Sequence, residues 1–203
     1  MAKSKTRKPI NPGFESTIWI DQSHVVESAS AFADVAIALS SELSPHGDPK
    51  LNVIFTNGSL ALELFFKSQL IERIVEPAFV EMTPEGERIT TEEHYINQEL
   101  PNFVVAIHHS RLKVKEGCKS HELVKLYECL DQDTQVNILR SISNETLKIQ
   151  TKADLLDFLS VINNFFVDKR YHFEGFINGV ESDRVHLYTL LPVLKGVKSA
   201  LAI

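Results

Sequence analysis

Asn57-Gly58-Ser59-Leu60-Ala61-Leu62-Glu63-Leu64-Phe65-Phe66-Lys67 sets one acid and one base, Glu63 and Lys67, a helical turn apart in a run that is otherwise almost wholly apolar. Upstream the polar pattern continues. Asn52, Thr56, Ser59, Glu63 and Lys67 recur at helical steps and form one narrow stripe, flanked by Leu51, Ile54, Phe55, Leu62 and Phe65 on one side. Leu60, Leu64, Ile71 and Val75 flank it on the other. A helix with so thin a polar face is surrounded by other helices. The pattern predicts a helix from about Leu51 to Ile74. Gly58 falls on its apolar side, where a missing side chain lets a neighbour approach at a propensity cost of roughly 1 kcal/mol.

Partner helices are legible on either side. Asp21 is a good N-cap, and Ile20 can pack on Val25 as a hydrophobic staple, so a first helix is expected from Asp21 to about Leu43. Its apolar stripe is Val25, Ala29, Phe32, Ala36, Leu39 and Leu43, widened by Ala33 and Ile37. Two prolines and a glycine in 44–49 stop it. Downstream, Ser120 is placed to cap a helix carrying Leu123, Val124, Leu126, Tyr127 and Leu130, and Asp133 opens a short one through Val136, Ile138, Leu139 and Ile142. Thr151 and Asp154 read as a capping box opening a long helix, with Leu155, Leu159, Ile162 and Phe166 on one stripe and Phe158, Val161 and Phe165 on a second. A last helix is expected from about Asp183 to Leu201, kinked or restarted at Pro192.

Between the second and third of these helices the character changes. Pro77, Pro84, Gly86 and Pro101 exclude one continuous helix over 76–117, while 103–107 and 112–115 read as short strand-like pieces. The stretch is expected to be an insertion, irregular or a small β ribbon. The fold class is therefore all-α, an up-and-down bundle of about five to six helices in a single domain over 18–203, interrupted at 76–117.

A chain of 203 residues with 43% hydrophobic content supports one domain of normal core. No apolar run approaches the roughly 18 residues of a membrane span and no signal-peptide pattern opens the chain, so the expected location is cytoplasmic. Cys118 and Cys129 lack CxxC spacing and exclude a disulfide framework. The formal charge of −6 understates the acidity of the body, because Lys3, Lys5, Arg7 and Lys8 crowd the first eight residues. Residues 1–17 read as a basic flexible arm, and the acidic remainder is a poor general binder of nucleic acid.

Three sets of residues bear on function. Glu63 and Lys67 are either a solvated pair, a catalytic site, or part of a packed polar network; Arg170 and Glu174, set among Tyr171 and Phe173, are the expected network partners. Arg111, Lys113, Lys115, Lys119 and His121 form the basic patch outside the arm, suited to phosphate or RNA at the start of the helix after Ser120. Cys118 and His121, with His108 and His109, lack the second ligand pair of a metal site, so no metal or cofactor is expected. Neither a glycine-flanked nucleophilic serine nor a phosphate-binding loop ending in Lys-Ser/Thr is present.

The order of three signatures, Ser59–Lys67, then Ser120–Tyr127, then Arg170-Tyr171-His172-Phe173-Glu174, resembles the HEPN superfamily of prokaryotic helical-bundle proteins over roughly Asp21–Ile203. The resemblance implies an up-and-down bundle, homodimerisation through helices, and a defence or toxin–antitoxin setting in which many members cleave or bind RNA. Nuclease members carry an arginine followed four to six residues later by a histidine, late in the bundle. Here Arg170 has His172 two residues on and Arg184 has His186, while Arg88 and His94, at suitable spacing, fall in the insertion. The expectation is a catalytically silent module that assembles, binds a protein partner, or senses RNA or nucleotide. The alternative is a metal-independent endoribonuclease built on Arg170, His172 and His121.

Overall fold

The structure is a computed structural model that describes residues 21–44, 48–96, 103–163, 165 and 184–201. It is mostly helical, and its residues divide into two compact units. One includes Arg73–Lys113; the other takes Asp21–Glu72 and Val114–Ile203. No helix among the described residues is long and apolar enough to cross a membrane. The basic arm and the Ile20 staple lie outside the described residues, as do Phe166 and the whole of 166–183, which contains Arg170, His172 and Glu174.

In the helical unit, α1 (Gln22–Ser40) begins where its cap residue directs: Asp21 accepts from the Ser23 N–H at 2.9 Å, and the His24 side chain closes the box on the Asp21 N–H. Its buried seam is Val26, Ala29, Ala33 and Ala36, one position round from the expected Val25. Three alanines keep that seam shallow, which lets α2 (Lys50–Gln69) lie close along it. Gly58 does what its place in the stripe predicts. A Cβ there would stand 2.9 Å from Leu190 Cδ2 and 3.2 Å from Leu194 Cδ1 of α7 (Arg184–Leu201), so its absence sets the spacing of those two helices.

The other helices among the described residues of this unit are α4 (Leu123–Cys129), α5 (Gln132–Glu145) and α6 (Lys152–Ile162). The Thr151–Asp154 capping box forms as expected. Helix α5 is capped by Asp131 rather than opened by Asp133, and Val136 on it is exposed. Val161, expected on a buried stripe of α6, is also exposed, whereas Leu155, Phe158, Leu159 and Ile162 are buried. Pro192 lies inside α7, which runs through it. Helix α5 packs tightly against α7 at Gly196, where a Cβ would come within 2.6 Å of the Ile142 Cα. A salt bridge from Lys198 to Asp34 ties α7 to α1 at 2.5 Å. Phe55 meets Phe165 edge-on at 4.8 Å in the same core.

The inserted stretch is more strand than expected. β1 (Ile71–Thr83) follows α2 directly, so the predicted end of that helix at Ile74 is corrected to Gln69. The β-branched Ile71, Ile74 and Val75 satisfy an apolar helical stripe and a strand equally well, and strand pairing decides. β1 pairs antiparallel with β2 (Gly86–Thr90), and β3 (Phe103–Val114) completes a three-stranded sheet of order β2-β1-β3. β3 is one continuous strand in place of the two expected pieces, and α3 (Glu92–Ile96) is a short helix between β2 and β3. Glu81 and Arg88 are cross-strand partners in the register, and their side chains bond at 2.7 Å. That contact commits Arg88 to holding a ribbon.

Candidate functional site

The polar stripe of α2 passes from half-buried Asn52 and Thr56 to buried Ser59 and Glu63. Ser59 satisfies its hydroxyl on its own helix, donating to the Phe55 carbonyl at 2.8 Å. Glu63 has no such local outlet. At 7% exposure its carboxylate needs donors from other side chains. Lys67, one turn on, supplies the first at 2.6 Å from Oε1.

The second donor comes from the approach to α4. Cys118 N–H closes a turn onto the Lys115 carbonyl at 3.1 Å, and Gly117 takes the positive φ of +82° such a turn needs at its third position. The chain then runs to His121, whose Nδ1 lies 2.8 Å from Glu63 Oε1. Helix α4 is held against α2 by Phe66 and Tyr127, rings 5.7 Å apart. Its first free N–H, on Leu123, donates to Asn163 Oδ1 at 2.6 Å. Asn163 thus does the work expected of Ser120, whose hydroxyl instead accepts from the Glu122 N–H at 3.0 Å. Helix α4 has seven residues, and its leading N–H, on Leu123, is already engaged by Asn163.

The proton positions in the cluster follow from chemistry. An ionised carboxylate only accepts, so the 2.8 Å contact assigns the imidazole proton to Nδ1. Lys67 Nζ, 3.4 Å from that nitrogen, is then a charged neighbour donating to the carboxylate. In the neutral ring the lone pair lies on Nε2. The His121 side chain is 83% exposed, so this nitrogen faces water.

Of the expected polar network, Glu63 and Lys67 are together, and His121, expected in the basic patch, joins them. Arg170 and Glu174 fall outside the described residues. Lys115, Lys119 and His121 are exposed on the helical unit, and Lys113 is exposed on β3 in the other; the side chain of Arg111 lies outside the described residues. Comparison with protein-family models, with curated proteins and with solved structures finds no match to this chain. Among the described residues, no group of three His, Cys, Asp or Glu side chains is placed to hold a metal.

Two other titratable groups lie on α4. The neighbouring Cys118 thiol, as hydrogen-bond partner, and then burial push the Cys129 thiol up to about 11. Burial raises the Tyr127 phenol, which donates to the Gln135 carbonyl at 3.1 Å. What sequence reasoning missed is the His121–Glu63 contact. The available signal was that a buried glutamate with one lysine still has lone pairs to satisfy, and His121 opens the next helical segment.

Proposed function

We propose that the chain is a HEPN-like helical module, an up-and-down bundle of about five to six helices, acting in the cytoplasm by assembly and by binding RNA, a nucleotide or a protein partner. It does so without catalysis, in a prokaryotic defence or toxin–antitoxin setting. The observation that carries this reading is the closure of Glu63 by Lys67 and His121, which uses the acid and base of the central helix to fix the approach to α4. The sequence supports it by lacking the nuclease spacing after Arg170. Exposed Lys115 and Lys119 offer phosphate contacts, and exposed Val185 and Tyr188 on α7 offer apolar surface for a homodimer.

The test combines sedimentation with RNA binding and cleavage by the purified chain. A dimer that binds single-stranded RNA without cutting it, and loses affinity in Lys115→Ala/Lys119→Ala, supports the reading. Cleavage abolished by both Arg170→Ala and His172→Ala overturns it in favour of the metal-independent endoribonuclease on Arg170, His172 and His121. One observation favours that second reading: a buried carboxylate orients an exposed imidazole, as a general base requires.

A further inference from the structure

We propose that His121 is a phosphoryl-acceptor residue, its Nε2 serving as nucleophile toward an anionic phosphate donor, with Glu63 and Lys67 as positioning residues. This does not rest on the HEPN-like reading. Three features of the cluster carry it. The Nδ1–H contact to Glu63 Oε1 leaves the lone pair on Nε2, and at 83% exposure that atom is open to solvent, with no hydrogen-bond partner among the described residues. The contact also holds the ring in one orientation. Lys67, bonded to the same carboxylate oxygen, offsets part of the charge of Glu63 and sits 3.4 Å from Nδ1. An anionic donor therefore reaches Nε2 without facing a bare carboxylate. The paired cation beside the ring suits a donor that is already anionic, which is why phosphoryl transfer is the class assigned.

In the step, the Nε2 lone pair attacks phosphorus. The N–P bond forms as the bond from phosphorus to the leaving group breaks, and the leaving group departs with that electron pair. The ring becomes an imidazolium whose Nδ1–H still points at Glu63 Oε1. A hydrogen bond from a neutral ring thereby becomes an ion pair, so the carboxylate stabilises the transition state and product more than the reactant. With phosphoramidate as donor the leaving group is ammonia, and no other reactant is required.

The chain carries an internal comparison. His24 Nδ1 also lies near a carboxylate, 3.1 Å from Asp21 Oδ1, but Asp21 is exposed and is shared with the Ser23 N–H and hydroxyl. No lysine is paired with Asp21 among the described residues. Incubating the full chain with phosphoramidate and locating phosphohistidine by peptide mass spectrometry reads the rate at each of the eight histidines. His121 is expected to react about tenfold faster than His24, and Glu63→Gln to slow His121 about tenfold while leaving His24 unchanged. Equal rates at His121 and His24 in the wild-type protein overturn the proposal, whether or not the variant folds. An unchanged His121 rate in Glu63→Gln protein with wild-type circular dichroism overturns it as well.

Discussion

Glu63 and His121 stand 58 residues apart in sequence and 2.8 Å apart in space, on a central helix and on the loop that leads to α4. The two ends of this contact differ in kind. Glu63 is buried beside Lys67, whereas His121 is almost wholly in water. Replacing Glu63 with Gln keeps the shape but strands the Lys67 ammonium at 19% exposure without its counter-ion. The expected loss is about 2 kcal/mol, below the range for a fully buried pair because Lys67 still meets water. His121→Ala removes an exposed partner and costs under about 1 kcal/mol. Thermal unfolding of the two variants checks the order; equal losses contradict it.

Gly196 and Gly58 make a second pair of unequal substitutions. Alanine at either gains helix propensity of roughly 1 kcal/mol. At Gly58 the added methyl meets the tips of the Leu190 and Leu194 side chains, which can turn aside. At Gly196 it meets the Ile142 backbone at 2.6 Å, which cannot. Gly196→Ala is expected to destabilise by about 2 kcal/mol and Gly58→Ala by under about 1 kcal/mol, measured by urea unfolding.

Acid sensitivity follows from the helix caps. Hydrogen bonds from Thr134, backbone first and then side chain, hold the Asp131 carboxyl below its ordinary value of 3.8. Hydrogen bonds from the Gln150 N–H and from Thr151 do the same for Asp154. A folded-state pKa below the unfolded one adds stability that is fully present above pH 3.8 and is lost as pH falls through the lower folded value. Asn accepts a cap bond without titrating. Asp131→Asn is therefore expected to leave the melting temperature at pH 7 nearly unchanged and to flatten its fall below pH 4; an unaltered acid limb would count against this account.

Cys129 is expected to resist alkylation at pH 8. With its thiol pushed up to about 11 beside the Cys118 thiol, the thiolate fraction there is small, and iodoacetamide should label Cys129 slowly. Cys118→Ala removes the first cause of that shift and should speed Cys129 labelling several-fold. Labelling followed by mass spectrometry separates the two sites, and a Cys129 rate insensitive to Cys118 would refute the assignment.

Local features were legible in the chain. The caps at Asp21 and Thr151–Asp154 are legible because donor and acceptor lie within three residues of each other. The narrow stripe on α2 and the closeness allowed by Gly58 follow from helical periodicity. Ile71–Val75 was not legible, since β-branched residues at that spacing suit either period and only pairing within the sheet settles it.

By itself the sequence determined that a mostly helical core would surround the α2 stripe, because burial periodicity and caps are properties of neighbours along the chain. Only the tertiary structure decided what satisfies Glu63, what caps α4, and where α5 and α7 touch. His121, Asn163 and Ile142 answer those needs from distant positions. The physical reason is that an unsatisfied carboxylate, a free N–H or a missing Cβ states a requirement locally, while packing of the whole core selects which residue meets it.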